Sequence, residues 1–209
     1  MKTVFVNPER CIGCLQCEFA CAVEHSSSRD PVLALGERPL PRTRVHVEPG
    51  LRPNTSFPVK CRHCDPAPCE QVCPTGAIAR DPGRDLVLVE AERCIACGMC
   101  AMVCPFDALT FDPVADADSG RPVAHKCDGC SDRLERGEPP ACVEVCKAGA
   151  LVFGEINEVV GAARRAEAVA VLGALEGPTP PSPPVPESVA TWRAWGKAAQ
   201  ALALTGGGR

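Results

Sequence analysis

The chain has 209 residues, of which 16 are cysteine, 22 proline and 18 glycine, with eight aromatic residues and no tyrosine. Leu, Ile, Val and Phe together number 46, little above the ~20% of a chain below which disorder is expected, so packed aliphatics alone make a poor core. That composition argues against an ordinary Rossmann, barrel or bundle enzyme, and a net charge of −4 leaves no basic stripe for nucleic acid.

In chain order, Thr3–Val6 is predicted as a short strand leading into the first cysteines. Residues 22–60 form a 39-residue insertion rich in Pro, Ser and Arg, with Arg44–Glu48 as a strand. Ala77–Arg80 and Asp85–Val89 flank Asp81-Pro82-Gly83-Arg84, a hairpin turn by its residue types. Ala108–Phe111 and Pro122–Ala124 predict a matching hairpin across Asp116–Gly120, and Ala150–Phe153 a last strand. Short helices join cysteine loops to strands, so the expected class is α+β, built from small units. Beyond a cysteine-bearing domain over residues 1–156, Asn157–Glu176 (157–176) reads as a helix with the apolar stripe Val159, Val160, Ala163, Ala166, Val169, Ala170 and Leu172. Gly177–Glu187 (177–187) is a proline-rich, extended linker. Residues 188–209 form a short C-terminal helix over Ser188–Leu204, and a tail; Trp192 and Trp195 share one helix face, either packed on the chain's own domain or docked on a partner.

The cysteines fall into four quartets, an internal repeat. Cys11, Cys14, Cys17 and Cys21 read C-x2-C-x2-C-x3-C, and Cys94, Cys97, Cys100 and Cys104 repeat that pattern. Cys61, Cys64, Cys69 and Cys73 read C-x2-C-x4-C-x3-C, and Cys127, Cys130, Cys142 and Cys146 read C-x2-C-x11-C-x3-C. Two-residue gaps let one loop present three thiolates to three irons of a cubane. The fourth cysteine, a helical turn further on, points away and serves the neighbouring cluster in two-cluster ferredoxins. Zinc sites separate their C-x2-C pairs by longer spacers, and a disulfide network suits a secreted chain. Neither fits as well as four [4Fe-4S] clusters. Sixteen thiolates on four 2+ cores would take the formal charge from −4 to −12, which calls for a partner surface with some Lys or Arg.

Cys73 and Cys104 are each followed by proline, whereas Ala22 follows Cys21 and Lys147 follows Cys146. The second and third quartets therefore read as one contiguous two-cluster unit, with the first and fourth closing around it. Only ten residues precede Cys11, and MKTVFVNPER has no apolar signal core. The best apolar runs, Ala168–Leu172 and Ala201–Leu204, are too short to span a bilayer. The expectation is a cytoplasmic protein with reduced thiols.

CIGCLQCEFACAVEHS (Cys11–Ser26), CRHCDPAPCEQVCPTGAI (Cys61–Ile78), CIACGMCAMVCPFDA (Cys94–Ala108) and KCDGC with ACVEVCKAGALVFGE (Lys126–Glu155) resemble the four-cluster ferredoxin-like electron-transfer subunits. That family includes beta subunits of dimethyl sulfoxide reductase-type molybdoenzymes, formate hydrogenlyase small subunits and the ferredoxin-like protein of carbon monoxide dehydrogenase systems. CAVEHS and ALVFGE look most like the last branch, and the resemblance runs from Thr3 to about Glu155. It implies two nested two-cluster ferredoxin-like units, the inner over about 58–112 and the outer over 1–57 with 113–156. Carried over residue by residue, one cluster takes Cys11, Cys14, Cys17 and Cys146, and its neighbour Cys127, Cys130, Cys142 and Cys21. A third takes Cys61, Cys64, Cys69 and Cys104, and the fourth Cys94, Cys97, Cys100 and Cys73. Lys147 stands where many relatives have proline.

The function so implied is a relay of single electrons between a catalytic dehydrogenase or reductase subunit and an electron acceptor protein such as a hydrogenase or flavin oxidoreductase. Carbon monoxide dehydrogenase is the first candidate donor. Formate dehydrogenase, a tungsten aldehyde oxidoreductase, another molybdoenzyme or a hydrogenase are compatible. No catalytic residues are expected: complete cysteine sets leave no iron open to substrate, and no nucleophile–base set, phosphate loop or flavin motif occurs. A zinc-binding interaction module is the remote alternative, and a self-contained reductase would need the 39-residue insertion to supply a pocket. Lys60, Lys126 and Lys147 adjoin ligands, either raising cluster potentials or simply solvated, and His25 and His63 read as supporting or surface residues.

Overall fold

The computed structural model describes residues 2–52, 55–112 and 121–175, with Thr191, Trp192, Ala194, Trp195 and Lys197 of the tail. The first half runs β1 (Lys2–Val6), α1 (Gln16–Glu24), α2 (Pro31–Ala34), β2 (Val45–Pro49), β3 (Ser56–Lys60), α3 (Pro68–Gln71), β4 (Ile78–Asp81) and β5 (Leu86–Val89). The second runs α4 (Met99–Met102), β6 (Thr110–Asp112), β7 (Val123–His125), α5 (Ser131–Glu135), α6 (Ala141–Glu144), β8 (Leu151–Glu155) and α7 (Ile156–Leu175). The class is α+β, as expected.

Strands pair only in twos, as antiparallel sheets β1–β8, β2–β3, β4–β5 and β6–β7. In β4–β5 the turn forms because the Asp81 carboxylate accepts hydrogen bonds from the Gly83 and Arg84 amides, at 2.8 and 3.2 Å. β6 and β7 pair from Thr110↔His125 to Asp112↔Val123; the turn expected at Asp116–Gly120 lies outside the described residues. β1 and β8 join the two ends of the cysteine-bearing region, from Lys2↔Glu155 to Val6↔Leu151. β3 was not anticipated. It pairs with β2 and carries buried Pro58 opposite Val47, and a proline inside a run normally argues against a strand.

Two compact units divide the chain, Met1–Gly161 and Ala162–Arg209. The first holds two small cores. One gathers Ala67, Ala77, Ile78, Val87, Leu109, Val123 and Ala124 around Cys69, Cys94 and Cys100. Val123 and Ala124 join it although they lie beyond the expected edge of the inner unit at 112, because β7 pairs with β6. The other gathers Val4, Val45 and Leu151 around Cys17, Cys21 and Cys142. Among the described residues seven branched aliphatic side chains are buried, no Phe or Trp ring is, and eight cysteines are. Thiols therefore stand where an ordinary domain has Leu and Phe.

Ionic contacts tie the helices together. Arg133 of α5, with its side chain 13% exposed, reaches Glu24 of α1 at 3.0 Å and Glu144 of α6 at 2.6 Å. α7 starts where Glu155 accepts from the Asn157 and Glu158 amides, at 2.7 and 3.2 Å. Of its predicted stripe, Val159 is half-buried against Gly154 and Val160 is exposed. In the second unit Val169 and Leu172 are exposed, and the linker at Gly177–Glu187 lies outside the described residues. Of the last predicted helix, Thr191, Trp192, Ala194, Trp195 and Lys197 are helical, and both tryptophans are exposed.

With so few aliphatic anchors, each should matter. Ile78→Ala removes a side chain 3% exposed at the centre of the first core. It is expected to destabilise the anaerobically purified protein by about 2–5 kcal/mol, read as a lower denaturant midpoint. An unchanged midpoint would mean that this core contributes little.

Candidate metal centres

Each cysteine loop depends on a backbone reversal. The residue two past the first cysteine has positive φ in all four loops: Gly13 at 67°, His63 at 50°, Ala96 at 56° and Gly129 at 74°. That turn aims amides back at sulfur: the His63 and Gly129 N–H groups donate to Cys61 Sγ and Cys127 Sγ, each at 3.4 Å. At Gly129 a Cβ would also meet Leu86 Cδ2 at 2.8 Å, so glycine is required twice over. His63 holds the same left-handed region without glycine's freedom, a conformation that costs on the order of 1 kcal/mol or more.

The third cysteine of each quartet lies in a short helix: Cys17 in α1, Cys69 in α3, Cys100 in α4 and Cys142 in α6. The fourth follows four residues later, one turn on. Cys21 is still within α1; Cys73, Cys104 and Cys146 lie two residues past their helices. Gly76, Asp107 and Gly149 then reverse the chain with positive φ of 61°, 48° and 67°.

Four cavities result, each lined by four cysteines and largely apolar neighbours. The first is lined by Cys11, Cys14, Cys17 and Cys146, with Val47 and Pro58 from the β2–β3 hairpin. Cys21, Cys127, Cys130 and Cys142 line the second, with His25, Arg44, Lys60 and His63. Around the third are Cys61, Cys64, Cys69 and Cys104, again with His63. Cys73, Cys94, Cys97 and Cys100 line the fourth. Three are nearly equal in size, at about 310, 330 and 340 Å³, and the second is about 520 Å³. A further hollow between Leu88, Ala124 and Lys126 has one cysteine, Cys127. All sixteen thiols are free.

The cavities adjoin through shared elements: α1 and α6 connect the first and second, and α3 and α4 the third and fourth. Between the second and third lie buried cations. Lys60 and Lys126 are 3% and 5% exposed. Lys60 Nζ donates to the Cys61 carbonyl at 3.0 Å. Lys126 Nζ donates to Cys61 Sγ at 3.5 Å, to the Cys127 carbonyl at 3.2 Å and to the Val87 carbonyl. Both lysines directly precede a first cysteine; at the outer cavities arginines stand there instead, Arg10 beside Gly149 and Arg93 beside Gly76. Lys147, read as either raising a potential or solvated, is exposed.

Burial sets the chemistry of the thiols. It pushes Cys17 up to about 11 and Cys130 up to about 12, and raises Cys142 further. Such thiols are poor nucleophiles and need a bound cation to become thiolates. At Cys21 burial is outweighed by the His25 side chain and the Arg44 amide, which lies at 3.2 Å, so its thiol is lowered. His25 donates from Nδ1 to the Cys21 carbonyl at 2.7 Å, and its Nε2 faces Asp128 at 3.1 Å. Burial lowers the imidazole, but the Asp128 and Cys21 contacts prevail and lift it to about 10. His25, Asp128 and Cys130 have ligand atoms within 4.8 Å of one another. They make no separate ion site, since Arg44 neutralises Asp128 at 2.6 Å and Cys130 faces the second cavity. Arg44 and Asp128 were not singled out in the sequence. Their contacts join residues 84 and 103 positions apart, and only the CDGC motif hinted at Asp128.

Comparison with known proteins follows the same lines. The 4Fe-4S dicluster domain family matches residues 54–156. An iron–sulfur protein of Rhodospirillum rubrum is 39% identical over 174 residues, covering 79% of this chain and 88% of its own. The electron transport protein HydN of Escherichia coli K12 is 37% identical over 167 residues, covering 76% and 90%. The thiosulfate reductase electron transfer subunit PhsB of Salmonella typhi is 40% identical over 161 residues, covering 73% and 74%. With its cysteine loops, its paired strands and relatives this similar over most of their length, the chain belongs to the ferredoxin-like family of [4Fe-4S] iron–sulfur electron-transfer proteins.

Proposed function

We propose that this protein is a four-cluster electron relay within an oxidoreductase complex. The clusters, when bound, would supply one-electron redox centres. The carrying observation is the set of four cavities, each lined by four cysteines. The C-x2-C-x2-C loops suit a cubane better than a single zinc ion, whose sites separate their C-x2-C pairs by longer spacers. The ligand sets proposed are Cys11, Cys14, Cys17 and Cys146; Cys21, Cys127, Cys130 and Cys142; Cys61, Cys64, Cys69 and Cys104; and Cys73, Cys94, Cys97 and Cys100.

In this reading the chain insulates the centres and opens them at two ends. Cys14 and Cys97 are the exposed cysteines. Beside them Ile12 and Leu15 are 71% and 50% exposed, and Ile95 and Met99 are 52% and 42% exposed. Apolar rims of this kind suit transient docking of a donor at one end and an acceptor at the other. Lys60 and Lys126 favour added electrons at the two central sites by placing cations near their sulfurs. The insertion expected to supply a pocket in a self-contained reductase instead packs β2 and β3 over the first two cavities.

The donor we favour is a carbon monoxide dehydrogenase, on the CAVEHS and ALVFGE segments. A molybdoenzyme is the second reading, favoured by the similarity to the thiosulfate reductase subunit and to a dimethyl sulfoxide reductase iron–sulfur subunit of Halobacterium salinarum, 33% identical. Co-purification from the native host would separate the two. No helix among the described residues is long and apolar enough to cross a membrane, and a cytoplasmic location is proposed because the cysteines are read as cluster ligands and not as disulfides.

Anaerobic preparations should contain about sixteen irons and sixteen sulfides per chain; zinc, or half that iron after full reconstitution, would refute four clusters. Stripping the iron should remove cooperative unfolding and open the cysteine domain to protease, whereas equal protection with and without metal would contradict the reading. Cys146→Ser should perturb the same spectroscopic signal as Cys14→Ser, and Cys21→Ser the same as Cys130→Ser. Signals that instead group Cys14 with Cys21 would refute the exchange of fourth cysteines.

A further inference from the structure

His63 is the residue whose chemistry the relay has not yet used. It is 5% exposed, and its Nε2 is buried without a hydrogen-bond partner among the described residues. An unsatisfied buried donor is costly, so a group bound there is the simplest explanation. Three observations say which group. The Val87 amide donates to His63 Nδ1 at 3.1 Å, so Nδ1 carries no proton and Nε2 must carry it. The backbone of His63 belongs to the loop of the third cavity, where its amide donates to Cys61 Sγ and its carbonyl accepts from Arg80 at 3.0 Å. Yet His63 also lines the second cavity, which Cys61 and Cys64 do not. Since the backbone of His63 is held in the loop of the third cavity, we assign the contact with the second to the imidazole.

We propose that His63 donates an Nε2–H hydrogen bond to a sulfur of the centre held by Cys21, Cys127, Cys130 and Cys142, while its amide serves the thiolate of Cys61 in the next. One residue thus touches both central centres, and its ring forms the wall between them. The inference rests on the ligand sets proposed above. An N–H donor stabilises the more negative, reduced state, so it raises the potential of the second-cavity centre. The left-handed backbone that all four loops share at this position turns the His63 amide to Cys61 Sγ.

The test uses the full chain, reconstituted anaerobically and titrated with EPR detection. Iron content and the signal altered by Cys130→Ser first identify the second-cavity centre; if no such signal exists, the ligand assignment fails, independently of His63. His63→Asn keeps an acceptor for the Val87 amide and loses the distal donor, whereas His63→Gln keeps a distal N–H and loses the Val87 bond. Expected is a lower potential of that one signal in His63→Asn and a potential near the parent's in His63→Gln. The reverse order, no shift in either, or an equal shift of all four signals overturns the proposal. Should both variants fail to take up iron, hyperfine coupling decides. With 15N-histidine in a His25→Asn background, which removes the other nearby ring, the reduced second-cavity signal should show nitrogen coupling. Its absence overturns the proposal.

Discussion

A residue four positions beyond a helical cysteine stands one turn further along the axis, and in this fold that turn faces the next cavity. The exchange this creates between Cys21 and Cys146, and between Cys73 and Cys104, organises everything else. α1 must lie against α6 and α3 against α4, since each helix brings one sulfur to its own cavity and its last turn leads to the neighbour's. The two-stranded sheets are too small to impose such order. They cap the cavities and supply a handful of aliphatic side chains.

Charge follows the same plan. Two lysines sit buried at the middle of the series, and arginines hold the corresponding positions at its ends. A buried ammonium without a counterion is costly, and here the carbonyls of Cys61, Val87 and Cys127 supply only neutral partners. The arrangement suits an interior that contains permanent negative charge. The second cavity adds Arg44 and a protonated His25, both on the Asp128 carboxylate, a set with one positive charge in excess. It also orients the insertion, whose Arg44 amide donates to Cys21 Sγ.

Where local chemistry decides the structure, the sequence was readable. The Asp-Pro-Gly-Arg turn, the strands beside it and the four cysteine loops follow from short-range rules, and their positions agree to within a residue or two. The strand Ser56–Lys60 was hidden by Pro58, whose missing N–H goes unneeded in a sheet of two strands. The contacts of Arg44, His25 and Asp128 were hidden for a different reason: they exist only after segments about a hundred residues apart have met. His63 shows the limit most clearly. A histidine inside a cysteine loop reads as incidental until the fold shows its amide on Cys61 Sγ and its buried ring accepting from the Val87 amide.

The pairing of β1 with β8 has a consequence for biosynthesis. Residue 2 cannot find its partner until residue 155 has left the ribosome, so the first cysteine loop is exposed to the cytosol while most of the domain is still being made. The segment from β3 to β7 can close behind it, because its two hairpins are local. Vectorial synthesis would thus deliver a finished middle flanked by an open N-terminal loop. In that interval the waiting thiols are open to oxidation and to stray metal, which makes the speed of elongation and the oxygen tension of the cell part of what determines the yield of intact protein.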